Sequence, residues 1–286
     1  MATPRKFEDT YREGPLHLAK VIFGAPRKGR AGTDASDATG EYLGALLKNG
    51  QIGAEYLLAN KAHPVVAYVD VPAADALDAK HTSSWGIKAL NEIVRIFGKY
   101  PKIEMQERPK KANLSSWRSA KFLYLYTHLF DRGSPVYASG FDHAIPAYLL
   151  PLKETQREYL VSWAISYRDH DSIWIGSGAL EVQAYKQLAD PASGLSKEGR
   201  EHCAEIEAVT NKPTYYYLLR YYGRQRREDQ RRCPLCGKPW AVTKGIGKFP
   251  RVDRFAFQCD RCRLISDQAS DCNERLAHIG EYKRSR

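Results

Sequence analysis

Two Cys-x-x-Cys pairs constrain this chain more than any other feature. The first pair is Cys233 and Cys236, the second is Cys259 and Cys262, and 22 residues separate the pairs. Two residues between paired cysteines let a tight turn present two sulfurs to one ion, and two such turns complete a tetrahedral site. One pair alone would also suit a redox centre, whereas two pairs at this separation favour a metal. The spacing predicts one structural Zn²⁺ held by all four cysteines, with no open position for catalysis.

The residues around the cysteines indicate how the zinc site is built. KPWAVTKG and VDRFAFQ are β-prone runs, and glycines and a proline separate them, as in a hairpin. Gly237 directly follows the first pair, where such a turn often needs a positive φ. The sequence therefore predicts a C-terminal β-hairpin zinc ribbon.

Positive charge is concentrated around the predicted ribbon. Thirteen Lys or Arg and only four Asp or Glu lie between Arg220 and Arg263, a surplus of nine in a chain whose formal net charge is +11. Four thiolates on Zn²⁺ offset part of this surplus, because they carry a net charge of about −2. The distribution favours an anionic partner.

Five tyrosines lead into a run of arginines just before the ribbon, in PTYYYLLRYYGRQRREDQRR. Aromatic rings beside guanidinium groups are typical of surfaces that bind single-stranded nucleic acid. The alternative is that Tyr215–Tyr222 forms a strand packed in the core, followed by a solvated basic segment. We expect DNA or RNA to contact a basic surface formed by Arg224, Arg226, Arg227, Arg231, Arg232, Lys244, Lys248, Arg251, Arg254, Arg261 and Arg263.

The rest of the chain predicts an α+β fold with a mixed α/β N-terminal domain, a helical middle region and the C-terminal ribbon. Strands are expected at 16–23, 54–60, 64–72 and 122–130, and helices at about 37–48, 85–97, 153–168, 180–188 and 196–209. Gly50 should cap the first helix and Ser196 should begin the last one. Domain boundaries are placed at 1–152, 153–227 (ending in the Tyr-rich strand) and 228–286.

Targeting and redox signals are sparse. The N-terminal residues carry no apolar signal segment, and no run approaches the roughly 18 apolar residues of a membrane span. We therefore expect a cytoplasmic protein with no membrane partner. The two remaining cysteines differ in their expected roles: Cys203 should be a buried small side chain, and Cys272 should not be a fifth ligand.

An enzyme would need a catalytic constellation that the sequence does not display. The candidate histidines are His128, His143 after Asp142, and His170 between Asp169 and Asp171, because carboxylates adjacent to imidazole can tune its basicity. No metalloprotease, serine hydrolase, phosphate-loop or dinucleotide motif is present. An enzyme that uses the N-terminal domain therefore stays an alternative interpretation that no sequence motif supports.

The chain resembles a bacterial family described as zinc-ribbon-containing, for which nucleic-acid binding is proposed. The resemblance is strongest in KPTYYY (212–217), RCPxCGxxW (232–240) and FxCDxCRLxS (257–266), with weaker likeness in WAISY (163–167) and KNGQI (48–52). Family members carry a further cysteine pair after a Ser-Pro, and here Ser134-Pro135 is followed by no cysteine. The resemblance implies a zinc ribbon and a nucleic-acid partner. The competing interpretation is a protein-interaction or adaptor module.

Overall fold

The computed structural model describes residues 16–29, 33–61, 64–106, 114, 116–141, 143–242 and 255–283. The helices are α1 (Thr33–Lys48), α2 (Ser84–Phe97), α3 (Glu154–Gly176), α4 (Glu181–Ala189) and α5 (Gly194–Thr210). The strands are β1 (His17–Gly24), β2 (Tyr56–Ala59), β3 (Val65–Val71), β4 (Lys102–Met105), β5 (Leu123–Leu125), β6 (Val136–Ala138), β7 (Thr214–Tyr217), β8 (Tyr222–Gly223), β9 (Phe257–Cys259), β10 (Leu264–Ser266) and β11 (Asp271–Cys272).

The N-terminal unit is an antiparallel sheet covered on one face by two helices. Its strand order is β2-β3-β1-β4, and the element order is β-α-β-β-α-β, which is the ferredoxin-like arrangement. Alternate residues of β1 and β3, including Val21 and Val69, are buried beneath α1 and α2. The period-two pattern of these strands therefore places one face in the core and leaves the other open.

The helix ends of this unit follow local capping rules. Ser83 accepts a hydrogen bond from the Gly86 N–H at 3.1 Å and begins α2, while Gly98 ends it in the left-handed conformation. Gly50 closes α1 with φ of 75°, and a Cβ there would lie 2.7 Å from the Cβ of Ala147. A side chain at position 50 is therefore disfavoured for two reasons: the positive φ, and the close contact with Ala147.

The second unit is a five-stranded sheet of order β6-β5-β7-β10-β9. Strand β7 is central and pairs in parallel with both β5 and β10. Helices α3 and α5 pack on one face, where Trp163 and Tyr216 are almost completely buried. A Cβ on Gly199 would lie 2.4 Å from the Tyr216 ring, so α5 approaches β7 closely because residue 199 has no side chain.

Polar contacts join α3 to the N-terminal unit. Arg157 Nε donates to Asn49 Oδ1 at 2.7 Å, Lys48 pairs with Glu158 at 2.7 Å, and Glu154 accepts from the Ser84 hydroxyl at 2.7 Å. Asn49 also donates to the His81 carbonyl, so the chain just after α1 is fixed on both sides. The two units are held together by directional bonds as well as by apolar contact.

The predicted α+β class is confirmed, and three details differ. Ser193, not Ser196, is the N-cap of α5, because the Ser193 hydroxyl accepts the Ser196 N–H at 3.1 Å. Helix α3 continues to Gly176, eight residues beyond the predicted end. The ribbon strand β10 pairs with β7, so the ribbon is part of the second sheet and not an appendage.

The five-stranded sheet contains strands from all three predicted domains: β5 and β6 precede residue 152, β7 lies between 153 and 227, and β9 and β10 follow residue 228. The domain boundaries themselves stay predictions. Within the described ranges, no helix has the length and apolar character needed to cross a membrane.

Candidate metal centre and basic surface

The first cysteine pair lies in a tight turn after β8. The Gly237 N–H donates to the Cys233 carbonyl at 2.8 Å, and the Cys233 N–H donates to the Lys238 carbonyl at 2.9 Å. Gly237 has φ of 69°, as the sequence predicted for this position. The turn therefore presents Cys233 and Cys236 from one compact loop.

The second pair lies in the hairpin between β9 and β10. Cys259 ends β9 opposite Leu264, the first residue of β10, and Cys262 lies in the connecting turn. Arg263 takes a left-handed conformation with φ of 50°, which closes this turn. The hairpin fixes the second pair to the edge of the five-stranded sheet.

The four sulfurs have the spacing of a tetrahedral metal site. The Sγ atoms of Cys233, Cys236, Cys259 and Cys262 all lie within 4.8 Å of one another, and the Cys236 and Cys259 sulfurs are 3.7 Å apart. A Zn–S bond of about 2.3 Å gives a tetrahedral edge of about 3.8 Å. The donor set and its spacing fit one Zn²⁺ ion.

The cluster lies partly in the protein core. Cys233 and Cys259 are buried, and the stacked rings of Trp240 and Phe257 pack beside them with centroids 5.1 Å apart. Burial raises the pKa of the Cys233 thiol above its usual value, and a bound cation would favour its thiolate form. With four protein ligands the site is closed, which is typical of a structural metal.

Two of the arginines near the cluster are buried and bonded within the protein. Arg220 and Arg231 are each 6% exposed. Arg220 Nε donates to Glu228 at 2.7 Å, and Arg231 donates to the Ala277 carbonyl at 3.0 Å. Arg231 was expected to contact phosphate, but its guanidinium is enclosed by these partners and does not face solvent.

Two further predicted contacts are paired at the surface. Arg224 Nε donates to Glu281 at 2.8 Å, and Arg263 forms a two-bond ion pair with Glu207 at 2.8 and 2.9 Å. These carboxylates come from distant parts of the chain, so the pairing was not evident in the sequence.

Five cations beside the cluster remain exposed. Within the described part of the chain, none of them has a carboxylate oxygen within 4.0 Å; they are Arg226, Arg227, Arg232, Lys238 and Arg261. The Arg232 guanidinium donates to the Gly237 carbonyl at 3.1 Å, which holds it beside the first cysteine turn. The remaining predicted contacts lie outside the described residues; they are Lys244, Lys248, Arg251 and Arg254.

The tyrosines before the ribbon belong to the core. Tyr215, Tyr216, Tyr217 and Tyr222 are at most 8% exposed, and Tyr221 packs edge-on against Trp174. Burial raises the pKa of Tyr215 to about 12, and its hydroxyl donates to Asp260 at 2.7 Å. The core interpretation is confirmed, and these rings are not a stacking platform for bases.

The other candidate side chains have ordinary structural surroundings. Cys203 is 2% exposed, and burial raises the pKa of its thiol well above the usual value. Cys272 is exposed on β11 and outside the four-sulfur cluster.

The candidate histidines contact neighbouring parts of the chain. His170 Nδ1 lies 2.8 Å from the carbonyl of Ser166 one helical turn earlier. His128 accepts the Phe130 N–H at 3.2 Å, and the His143 ring contacts Phe141. Among the described residues, only the four cysteines form a metal-ligating group.

Comparison with known proteins identifies relatives for the C-terminal half. A family described as "Domain of unknown function (DUF2310)" matches residues 117–219, and one described as "Domain of unknown function (DUF8594)" matches residues 223–272. Two uncharacterized proteins of Haemophilus influenzae (strain ATCC 51907 / DSM 11121 / KW20 / Rd) are each 35% identical to 50% of this chain, over 145 residues. The match spans 54% of the length of one relative and 69% of the other. No solved structure matches the chain significantly.

Proposed function

The chain belongs to the family that carries the domains of unknown function DUF2310 and DUF8594, and we propose that it is a zinc-ribbon protein that binds nucleic acid. The observation that carries this proposal is that five exposed cations, with no carboxylate partner among the described residues, lie in or just before the segments that carry the four cysteines. We call this group the ribbon cation patch; it consists of Arg226, Arg227, Arg232, Lys238 and Arg261.

The metal would hold the patch in shape. Arg232 and Lys238 flank the first cysteine turn, and Arg261 lies between the second two cysteines. When bound, Zn²⁺ would supply a structural crosslink between these two turns and no catalytic group. The ordering of the turns would then reduce the entropy lost when three cations contact a phosphate backbone together.

The contacts favoured by the structure are to phosphates and not to bases. Arg and Lys donate to phosphate oxygens regardless of sequence, whereas base stacking needs exposed aromatic rings. The nearby tyrosines are buried, so stacking does not contribute from this part of the chain. We expect binding that depends strongly on salt and weakly on base sequence.

A titration across salt concentrations tests the proposal. The zinc-loaded full chain is titrated against labelled duplex and single-stranded DNA and RNA, with fluorescence anisotropy as the readout. Five phosphate contacts on duplex DNA predict that log affinity falls against log salt with a slope of about −4.5. Replacing Arg226→Glu and Arg227→Glu together should weaken binding and make the slope shallower by about 2.

Exposed cations elsewhere on the surface provide the control. Lys88 on α2 and Lys197 on α5 are exposed, and the change Lys88→Glu with Lys197→Glu gives the same loss of net charge. The control variant should bind almost as the parent does. An equal loss in both variants would show only a response to net charge, and no salt-dependent binding by the parent would remove the proposal.

A protein-interaction module is the second candidate, and the apolar rim of the ribbon favours it. Leu235, at the tip of the first cysteine turn, is 36% exposed, and Val242 is 41% exposed. A partner that depends on this rim should be captured from nuclease-treated lysate by the parent and lost with Leu235→Ser. Loss of every partner after nuclease treatment would count against this candidate.

A further inference from the structure

A cleft lies where the N-terminal unit meets the second sheet. Its walls include the loop after α1 at 50–53, the loop at 131–135, the segment at 144–147, and one face of α3 with Val161, Ala164 and Arg168. Most of the lining is apolar. The cavity volume is about 40 Å³, and since one water needs about 10–15 Å³ on this measure, a ligand of a few heavy atoms fits.

Arg168 is a buried cation that, among the described residues, touches no carboxylate, although the charge of Asp131 acts on it from the neighbouring loop. Its side chain is 8% exposed, and Nη1 donates to the carbonyls of Asp131 and Gly133 at 3.1 and 3.3 Å. Within the described ranges, no carboxylate oxygen lies within 4.0 Å of its guanidinium. Buried charges are costly unless an opposite charge or strong hydrogen bonds compensate them.

The nearest acid is engaged elsewhere. The Asp131 carboxylate accepts the Gly133 N–H and the Tyr137 hydroxyl, both at 3.0 Å. Arg168 contacts the backbone of Asp131 and not its carboxylate. The guanidinium carries five donors, and in the described residues its Nε and Nη2 groups make no hydrogen bond. These donors are available on a residue that lines the cleft.

The surrounding charges limit what the cleft can take. Arg132 stands at the rim, half-exposed, with Asp70 at 3.3 Å and Glu55 at 3.4 Å. The two carboxylates carry more negative charge than Arg132 carries positive charge. The electrostatic potential in the cleft is therefore not strongly positive. A small monoanion suits Arg168 better than a doubly charged phosphate.

The walls are held in place before any ligand arrives. The bond from Arg157 to Asn49 and the close approach of Gly50 to Ala147 fix the α1 end against α3. Arg168 itself ties α3 to the 131–133 loop. A preformed cleft loses little entropy on binding, which permits useful affinity from one charged contact.

We propose that this cleft binds a small carboxylate with a short apolar body. Its carboxylate receives two hydrogen bonds from Nε and Nη2 of Arg168, which is the paired geometry that guanidinium and carboxylate share. The apolar body lies against Val161, Ala164 and Pro135. The site is separate from the metal centre and the ribbon cation patch, and it does not depend on the proposed nucleic-acid binding.

The test compares isobutyrate with its neutral analogue isobutyramide. Each is titrated into the full chain, and amide chemical shifts are followed by nuclear magnetic resonance. Isobutyrate should produce saturable shifts at Gly53 and Gly133, and isobutyramide should produce none at the same concentrations. Arg168→Met should raise the dissociation constant of isobutyrate at least about tenfold, because a charge-assisted pair is lost.

A second variant keeps the arginine and fills the space. Val161→Phe adds bulk at a partly exposed position of the cleft wall and should abolish the isobutyrate shifts even if Arg168→Met proves unstable. Arg132→Gln, at the rim, should change the affinity much less than Arg168→Met. Equal binding of the two compounds, no saturable binding, or unchanged binding in the filled-cleft variant would overturn the proposal.

Discussion

Arg263, the residue after Cys262 of the four-cysteine cluster, forms a two-bond ion pair with Glu207 on α5, at 2.8 and 2.9 Å. Glu207 also accepts the Thr214 N–H at 2.9 Å, at the start of β7. The Arg263 guanidinium lies 5.5 Å from the centroid of the Tyr215 ring. One carboxylate therefore links the second cysteine turn to both the helix and the strand that support it.

Removing the charge of Glu207 should loosen this link. Glu207→Gln is expected to lower the free energy of unfolding by about 1 kcal/mol, since the pair has good geometry but is about one-third exposed. Chemical denaturation at neutral pH measures the effect. Glu104→Gln removes the partner of Lys102 in an exposed pair on β4 and should lower stability much less. Equal effects would show that the Arg263 pair has no special role.

The same pair predicts a pH dependence. The hydrogen bond from Arg263 holds the pKa of Glu207 below its usual range. Because the folded-state pKa is below the unfolded one, the stabilisation is present above about pH 4.3 and is lost as the pH falls through the folded-state pKa. The difference in unfolding free energy between the parent and Glu207→Gln should therefore shrink on acidification.

Gly199 allows α5 to approach the sheet. A Cβ there would lie 2.4 Å from the Tyr216 ring and 2.9 Å from Trp163, and both rings are buried. Gly199→Ala should cost about 1–3 kcal/mol of stability by overpacking. Gly44, inside α1, has no atom within 4 Å of an added Cβ, so Gly44→Ala should stabilise by up to about 1 kcal/mol. Thermal unfolding of both variants measures these changes. A Gly199→Ala protein as stable as the parent would contradict the packing of α5 on β7.

Asp171 should make stability fall as the pH rises from about 4 to about 6. Burial raises the pKa of this carboxyl, which accepts the Leu129 N–H at 2.6 Å, to about 6. The folded state then binds more protons than the unfolded state between about pH 4 and 6, and the loss across this window is up to about 3 kcal/mol.

Asp171→Asn should remove that loss while keeping an oxygen for the Leu129 N–H. Unfolding free energies at several pH values from 4 to 7 measure it. Asp169→Asn, an exposed change on the same helix, is the control and should keep the slope of the parent. An Asp171→Asn variant with the parent's slope would contradict the assignment to Asp171.

The cysteine cluster could be predicted because the two turns that form it are local. Two residues between cysteines, followed by Gly237, specify a turn that presents both sulfurs. The N-cap of α5 was misplaced by three residues because Ser193 and Ser196 both have cap chemistry, and only the turn at Asp190–Ser193 decides between them. The apolar, β-prone runs at 16–23 and 64–72 predicted β1 and β3 for the same local reason.

The division of the basic segment into paired and exposed cations could not be predicted. Glu281 and Ala277, which receive Arg224 and Arg231, lie about fifty residues away in the chain. The parallel pairing of β10 with β7 likewise joins distant segments, and it makes the ribbon part of the sheet. Such contacts depend on tertiary packing, which composition and spacing do not encode locally.

Metal content is the most direct test of the account, because its central claim is that one Zn²⁺ joins the two cysteine turns. Native mass spectrometry and elemental analysis of the purified chain should give one zinc per molecule. Cys259→Ser should lose it, and Cys272→Ser, which changes an exposed cysteine outside the cluster, should keep it. Chelation should lower the stability of the parent. A parent chain that is folded without metal and insensitive to chelator would contradict the claim.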